Sequence, residues 1–410
     1  MNLLSVTEAR QRILSHFQPV AAENLPLAEC AKRVLAQDIA AATDLPLFDN
    51  SSMDGFALRA ADVATASPAS PRTLRVVADI PAGSQLTVSL AKGEAARIMT
   101  GAPLPLGADA VIPVEETDFH NRDAGVQAPK NVQALKAMQA GENIRPRGMD
   151  VQAGESVLWA GQLLRPQDLG LLAMLGEAQV SVHRKPCVAL FSSGDELLPV
   201  DAPLTAGKIH DSNSYALAAL LQDANVEVIP LGVAADRRAS VESLLRRAVR
   251  EQADLIVSSA GVSVGAFDFV KEVVESNGRL DFWRVNMRPG KPLAFGEYGG
   301  IPFIGLPGNP VSAFVGFEVF VRPTLERLSG LGTGNRPTVR VRLGEAVQSD
   351  GRESYLRAEV REEEGLLVAH LSGHQGSGNL LTLVRANALL IIPAGVKSAP
   401  AHQEVDAWLL

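Results

Sequence analysis

The chain has 410 residues, 46% of them apolar and 5% aromatic, with a formal net charge of −8. That length suits roughly two to four domains, and the composition is that of packed soluble cores rather than a disordered chain. The acidic balance argues against a general nucleic-acid binder, which carries a clustered basic face. Cys30 and Cys187 are the only cysteines, far apart and in no metal-ligand spacing, so a reducing, cytoplasmic setting is expected. Charges run through the opening MNLLSVTEARQRIL, unlike a signal peptide. No apolar run approaches the ~20 residues of a membrane span. Neither nucleic acid nor membrane is expected as a partner.

The first 35 residues read as helix, with Val6, Ile13, Leu14 and Phe17 near one face and Thr7 as a cap. From Thr43 the pattern breaks into loops and short strands. Strands are expected over 74–80, 96–99 and 110–114, punctuated by PAG at Pro81 and GAPLPLG at Gly101. Residues 162–178 return to helix. After Lys185, strands over 188–191, 226–231 and 255–257 alternate with helices. These helices carry Leu217, Leu220, Leu221 and Ala224, then Val241, Leu244, Leu245 and Ala248, then Val270, Val273 and Val274. Strands near 281–285, 293–295 and 302–306 come next, then one long helix over 309–328. Such alternation implies a mostly parallel sheet covered on both faces. Residues 330–337 read as a linker, and the period-two pattern of 338–410 predicts a small β-domain.

The most informative stretch is 254–312, where a Gly-rich segment (Asp254-LIVSSAGVSVGAFDF), a cationic turn (Arg284-VNMRPGKPLAFG) and a second Gly-rich turn (Ile304-GLPGNPVS) succeed one another. A strand feeding a glycine turn and a helix leaves backbone N–H groups pointing outward, a setting for phosphate or another oxyanion. Ligands of open α/β sheets collect at the carboxyl ends of strands. Here those ends carry Ser193, Gly194, Asp195 and Glu196, then Asp236, then Ser259, Gly261, Gly265 and Asp268, then the turn of Pro307, Gly308, Asn309 and Pro310. Carboxylates beside a phosphate cradle repel the ligand unless a cation bridges them, which suggests Mg²⁺ or another divalent ion. The plainer alternative is that Asp195 and Asp268 cap helices. Asn309 suits a helix cap and Pro310 the first helical position, leaving the amides of Val311 and Ser312 for an anion; a purely capping turn is the alternative. Arg288 and Lys291, in a proline-stiffened turn, fit an oxyanion clamp or an ordinary solvated turn. Outside this region, Phe48-DNSSMDGFA, Thr100-GAP and Asn143-IRPRGMD form polar loops that read either as turns or as site loops. The seven histidines form no metal pattern.

Together these motifs resemble the molybdopterin molybdenumtransferase family over essentially the whole chain. FDNSSMDGFALRAAD, RIMTGAPLP, NIRPRGMD, FSSGDEL, GKIHDSNSY, SSAGVSVGAFDF, RPGKP, GLPGNPVSAF and GSGNLLTLVRANALLIIP carry the resemblance. It implies an elongated helical domain of residues 1–45 and 151–184, an inserted β-rich domain over 46–150, a molybdopterin-binding α/β domain over 185–330 and a C-terminal β-barrel over 331–410. It also implies a homodimer that inserts molybdate into adenylylated molybdopterin, with a divalent cation assisting and AMP released. By motif, Asp54, Asp150, Glu196, Asp236 and Asp268 would be the functional acids, with Glu196, Asp236 and Asp268 on the metal. Thr100, Arg145, Ser193, Gly194, Ser259, Gly261, Gly265 and the Pro307, Gly308, Asn309 and Pro310 turn would line the cofactor. Arg284, Arg288, Lys291, Ser312 and Ser377 would meet the oxyanions. The family commonly has Lys at the positions of Arg284 and Arg288, which keeps the charge but changes a point donor into a fork. A further implied partner is the molybdopterin adenylyltransferase. Adenylyl transfer to molybdopterin is itself an alternative function, although residues 1–184 and 331–410 argue against it. A non-catalytic scaffold presenting the cofactor is another, against which the five acids weigh.

Overall fold

The computed structural model describes residues 3–85, 88–119, 127–260, 269–332 and 336–410. The chain divides into two compact units: Met1–Gln37, Ala160–Leu169 and Gln179–Leu410 form one, and Asp38–Trp159 with Gly170–Ala178 the other. Among the described residues no helix is long and apolar enough to cross a membrane.

The larger unit is built on a six-stranded sheet in the order Glu227–Ala234, Cys187–Ser193, Leu255–Ser259, Ile301–Leu306, Pro292–Tyr298, Gly278–Arg284. The first four strands are parallel and the last two antiparallel to their neighbours, so the sheet is mostly parallel as expected. Both faces are buried, which is why the strands read as continuous apolar runs. Val188, Leu190, Leu255, Val257 and Ile304 enter one core, while Ala189, Phe191, Ile256 and Phe303 enter the other. From Cys187–Ser193 the chain goes first to the neighbour on one side, Glu227–Ala234, and then across to the other side, Leu255–Ser259. That reversal makes a switch point between the Cys187–Ser193 and Leu255–Ser259 strands, where such sheets open a crevice at their carboxyl ends.

The C-terminal region is a closed five-stranded barrel in the order Glu353–Glu363, Leu366–Leu371, Thr338–Leu343, Glu404–Leu409, Ala388–Ile392 and back to Glu353–Glu363. Its interior is filled by Val341, Leu343, Leu356, Ala358, Ala369, Leu390 and Ala407. The two-residue strand Met287–Arg288 pairs in parallel with Glu353 and Ser354, joining the cationic turn to the barrel.

Three helical expectations are corrected. The first helix is Val6–Ser15 alone, and its cap is Ser5 rather than Thr7. Ser5 Oγ accepts from the Glu8 N–H while the Glu8 carboxylate accepts from the Ser5 N–H at 2.9 Å, the reciprocal box that an S-x-x-E sequence specifies. The helix stops short of Pro19, before which helical backbone is disfavoured. Residues 22–26, expected as helix, instead form the strand Ala22–Pro26, antiparallel to Gln179–His183. The second helix is shorter than predicted, Pro166–Leu175, ending before Gly176 at φ +83°, a left-handed stop suited to glycine. The long helix is three segments: Pro310–Gly316, a π-turn over Phe317–Val321, and Arg322–Leu328. Pro323 has no N–H for the Val319 carbonyl, so the ladder shifts by one residue and the Arg322 N–H donates to Phe317.

In the smaller unit a five-stranded sheet runs Ala110–Pro113, Gly55–Leu58, Glu94–Ile98, Arg72–Ile80, Asn131–Ala134. The strands expected over 74–80, 96–99 and 110–114 correspond to Arg72–Ile80, Glu94–Ile98 and Ala110–Pro113, with Met99 and Val114 just past the strand ends. Phe56, Leu58, Leu74, Ala95, Ala110, Ile112 and Val132 fill one face.

Candidate active site

A cleft of about 1060 Å³ opens at the carboxyl ends of the parallel strands. The sheet order sorts its charges. Glu196 and Asp236 come after the two strands at one side, the turn of Pro307 to Pro310 comes after the fourth, and Arg288 and Lys291 sit on the loop joining the last two. At about 4.8 Å per strand, three strand steps separate the Asp236 and Gly308 strands by roughly 14 Å. The cleft therefore suits a ligand longer than a single phosphate.

On the acidic side, Asp236 is locked by its neighbours. Its carboxylate accepts from Ser193 Oγ at 3.1 Å and from the Asp195 N–H at 3.4 Å, while Asp195 Oδ1 accepts from the Asp236 N–H at 3.0 Å. Asp195 thus ties two strand ends together instead of capping a helix. Glu196 packs its carboxylate over Gly194, where a Cβ would lie 2.5 Å from Glu196 Oε2. Gly261, Gly265 and Asp268 lie outside the described residues. Among those described, no group of three or more His, Cys, Asp or Glu is placed to hold a metal.

On the other side, Asn309 occupies the cap position and Pro310 the first helical one, but the Asn309 side chain does not cap. Its Nδ2 donates to Ser377 Oγ at 3.1 Å, and the Val311 N–H donates to the Ser377 carbonyl at 3.1 Å. The expectation that the Val311 amide faces an anion is therefore corrected: the barrel loop occupies it. Ser312 is buried and lines the cleft, as do Arg288, Lys291 and Ser377. Arg284 is exposed at its strand end and is not among the lining residues.

The barrel contributes the rest of this wall. Arg352 donates to the Met287 carbonyl at 2.9 Å and pairs with Asp350, and its guanidinium holds the Asp350 carboxyl below the usual carboxylate range. Arg357 is buried, and its donors go to the carbonyls of His374, Gln375 and Gly376 and to Thr382 Oγ1. Burial, reinforced by the neighbouring Arg288 charge, brings its pKa down to about 10. The Arg288 side chain is half-buried and makes no side-chain hydrogen bond among the described residues, while its charge helps to hold the Asp350 carboxyl down. These guanidiniums make the wall electropositive before any ligand arrives.

The four expected site residues of the smaller unit fall into two pairs. The Asp54 carboxylate accepts from the Thr100 N–H at 2.7 Å and from Thr100 Oγ1 at 2.8 Å. Arg145 forms an ion pair with Asp150. Their loops are joined by backbone pairing of Asn50 with Arg145 and of Ser51 with Ile144, and by the Gly101 N–H donating to Ser51.

Among the lining residues that the sequence reading did not single out for the site are Asp211, Asn213, Arg352 and Gln375. The first two had a signal, because Asp before a helical period marks a cap, and Asp211 does cap Ser212–Asp223. Arg352 had none, since it reaches the cleft only through barrel closure.

Comparison with known proteins assigns the chain. Residues 4–176 match the MoeA N-terminal region (domain I and II), 189–327 a probable molybdopterin binding domain, and 340–410 the MoeA C-terminal region (domain IV). Molybdopterin molybdenumtransferase 2 of Mycobacterium tuberculosis is 38% identical, the match covering 98% of this chain and 99% of that protein. Molybdopterin molybdenumtransferase of Nostoc sp. is 40% identical over 88% of this chain and 83% of its own. The crystal structure of a molybdopterin biosynthesis MoeA protein from Pyrococcus horikoshii superposes with a TM-score of 0.83 at 32% identity, covering 100% of this chain and 99% of that one. With relatives at this identity across its full length and family models matched from end to end, the chain belongs to the MoeA family of molybdopterin molybdenumtransferases.

Proposed function

We propose that this protein inserts molybdate into adenylylated molybdopterin and releases AMP, completing the molybdenum cofactor. The observation that carries the reading is one cleft, at the switch point of the sheet, with carboxylates at one set of strand ends and cations at the other. Arg288, Lys291, Ser312 and Ser377 bind the tetrahedral oxyanion, and the Arg352–Met287 contact fixes the turn that presents Arg288. The turn of Pro307 to Pro310, with Ser259, Ser193 and Gly194, lines the cofactor. Electrostatic donors fixed in advance act on charge as it develops, without reorganising during the reaction.

The donor set fits a divalent cation. Asp236 uses two of its acceptor positions on Ser193 and Asp195 and keeps others, and Glu196 lines the same cleft. Hard oxygens of one or two carboxylates, completed by phosphate and water, are the usual magnesium environment. Glu196 and Asp236 would hold the ion, with Asp268 as a third ligand, and the ion would neutralise charge on the departing phosphate. The roles of Asp54, Thr100, Arg145 and Asp150, the homodimer, the four-domain division and the cytoplasmic setting belong to the same proposal and rest on the resemblance.

An adenylyltransferase built from the α/β region alone would lack the wall supplied by Arg352, Gln375 and Ser377. Adding molybdate to purified protein loaded with adenylylated molybdopterin should release AMP in proportion to cofactor formed. ATP consumption without molybdate, and no AMP release with it, would overturn the assignment.

A further inference from the structure

Asn213 lines the cleft at the switch point, and its side chain is buried, with 9% of the residue exposed. Its Nδ2 donates to Ser259 Oγ at 2.7 Å and to the Gly308 carbonyl at 2.8 Å. A carbonyl can only accept, so the amide nitrogen must face Gly308, and the orientation of the group is locked. Both amide hydrogens are committed to the two glycine-bearing turns, and among the described residues nothing donates to Oδ1. Oδ1 is not among the buried atoms without a partner, so it opens on the cleft, and an occupant that excludes water from it without bringing a donor carries a desolvation cost. Oδ1 also repels the parts of the ligand that only accept, namely phosphate oxygens and molybdate. An occupant that fills this point must therefore bring a donor, an N–H or an O–H.

We propose that Asn213 is a specificity-determining residue whose Oδ1 accepts a hydrogen bond from the pyrimidinone edge of the pterin ring. This rests on the molybdopterin reading above. That edge presents a ring N–H and an exocyclic amino group side by side, so the same acceptor serves the ring over small shifts of its position. A site built to pair a donor rejects analogues that lack it.

The test uses the full-length protein and fluorescence titration with pterin, 3-methylpterin and 2-dimethylaminopterin. Wild type should bind at least one methylated probe about tenfold more weakly than pterin, the scale of one lost hydrogen bond at a buried acceptor. Asn213→Ala should erase that preference. Because the comparison between ligands is made within wild type, it does not depend on the variant folding. Equal binding of all three probes by wild type, no binding of any at millimolar concentration, or a preference that survives in N213A would each overturn the inference. So would a loss confined to AMP, which would place the nucleotide there. Molybdate-dependent AMP release is scored separately. If it is present while pterin selectivity is absent, only the Asn213 role fails; selectivity without AMP release would refute the insertion reading instead.

Discussion

Replacing Arg288 with Met should impair molybdate use without weakening the fold. Most half-buried arginines hold a hydrogen-bonded partner whose loss destabilises the protein, but the Arg288 side chain has none among the described residues and only a longer-range attraction to Asp350. It lies close enough to Arg357 to depress that pKa, so part of its present effect is repulsive. Removing it relieves the repulsion with Arg357 but gives up the attraction to Asp350, so the melting temperature should stay nearly unchanged. In catalysis it should matter more. A hydrogen bond between charged groups contributes about 1.5–3 kcal/mol, so kcat/KM for molybdate should fall roughly 10- to 150-fold. AMP affinity should be unchanged. Arg288→Lys should recover most of the loss, since it restores the charge without the fork, and the deficit of R288M should shrink as salt screens the wild-type wall. The assay is molybdate-dependent AMP release at varied molybdate, paired with differential scanning fluorimetry. Unchanged molybdate dependence would remove Arg288 from the oxyanion site. A melting temperature several degrees lower would show that it holds up the fold instead.

Two further substitutions probe what holds the scaffold. Glu318 has a side chain 0% exposed and accepts from Arg322 at 2.8 Å and Arg336 at 2.8 Å; Glu318→Ala leaves Arg322 with Asp223 at 3.4 Å and Arg336 with the Leu409 carbonyl, so it should cost about 3 kcal/mol by denaturant unfolding, the low end for a broken buried pair. Burial alone would raise the Glu318 pKa, but Arg322 and Arg336 more than offset it and hold it below 4.5. Its stabilisation is thus fully present above pH ~4.5 and disappears as pH falls through the folded value. The stability gap between wild type and Glu318→Gln should close over that acid window; a gap constant with pH would contradict the ion-pair account. In the smaller unit, a Cβ on Gly55 would sit 1.9 Å from the Ile112 carbonyl oxygen. Gly55→Ala must push two paired strands apart, and limited proteolysis should cut residues 38–159 first; unaltered protection would show that the sheet yields more easily than close packing allows.

The α/β region was legible because its strands are buried on both faces and its helices are amphipathic, so period and length agreed. The N-terminal segment was not, because Val6, Ile13 and Phe17 are true core positions and suggested a helix continuing past them. Ala22–Pro26 instead pairs with Gln179–His183, a partner far away in sequence that leaves no local trace. The π-turn was likewise hidden: Pro323 announced a disturbance, but only packing decides whether a helix ends, kinks or slips by one. At the site, local chemistry marked the glycine turns and acids. It could not show that the Val311 amide is taken by Ser377, nor that Asn213 spans two turns, because both contacts cross between elements. The loops holding Asp54, Thr100, Arg145 and Asp150 read as turns or site loops, their roles came only from motif resemblance, and the structure adds that Asp54 bonds Thr100 and Arg145 bonds Asp150.

The parallel pairing of Met287–Arg288 with Glu353 and Ser354 has a consequence for how this protein is made. On the ribosome the α/β sheet is complete once Ile301–Leu306 has emerged, yet the cationic turn still lacks the strand that fixes it. That strand belongs to a barrel whose last member, Glu404–Leu409, lies well beyond the sheet in the chain. A nascent chain therefore forms the strand ends that carry Glu196 and Asp236 before the barrel that braces the cationic turn can close.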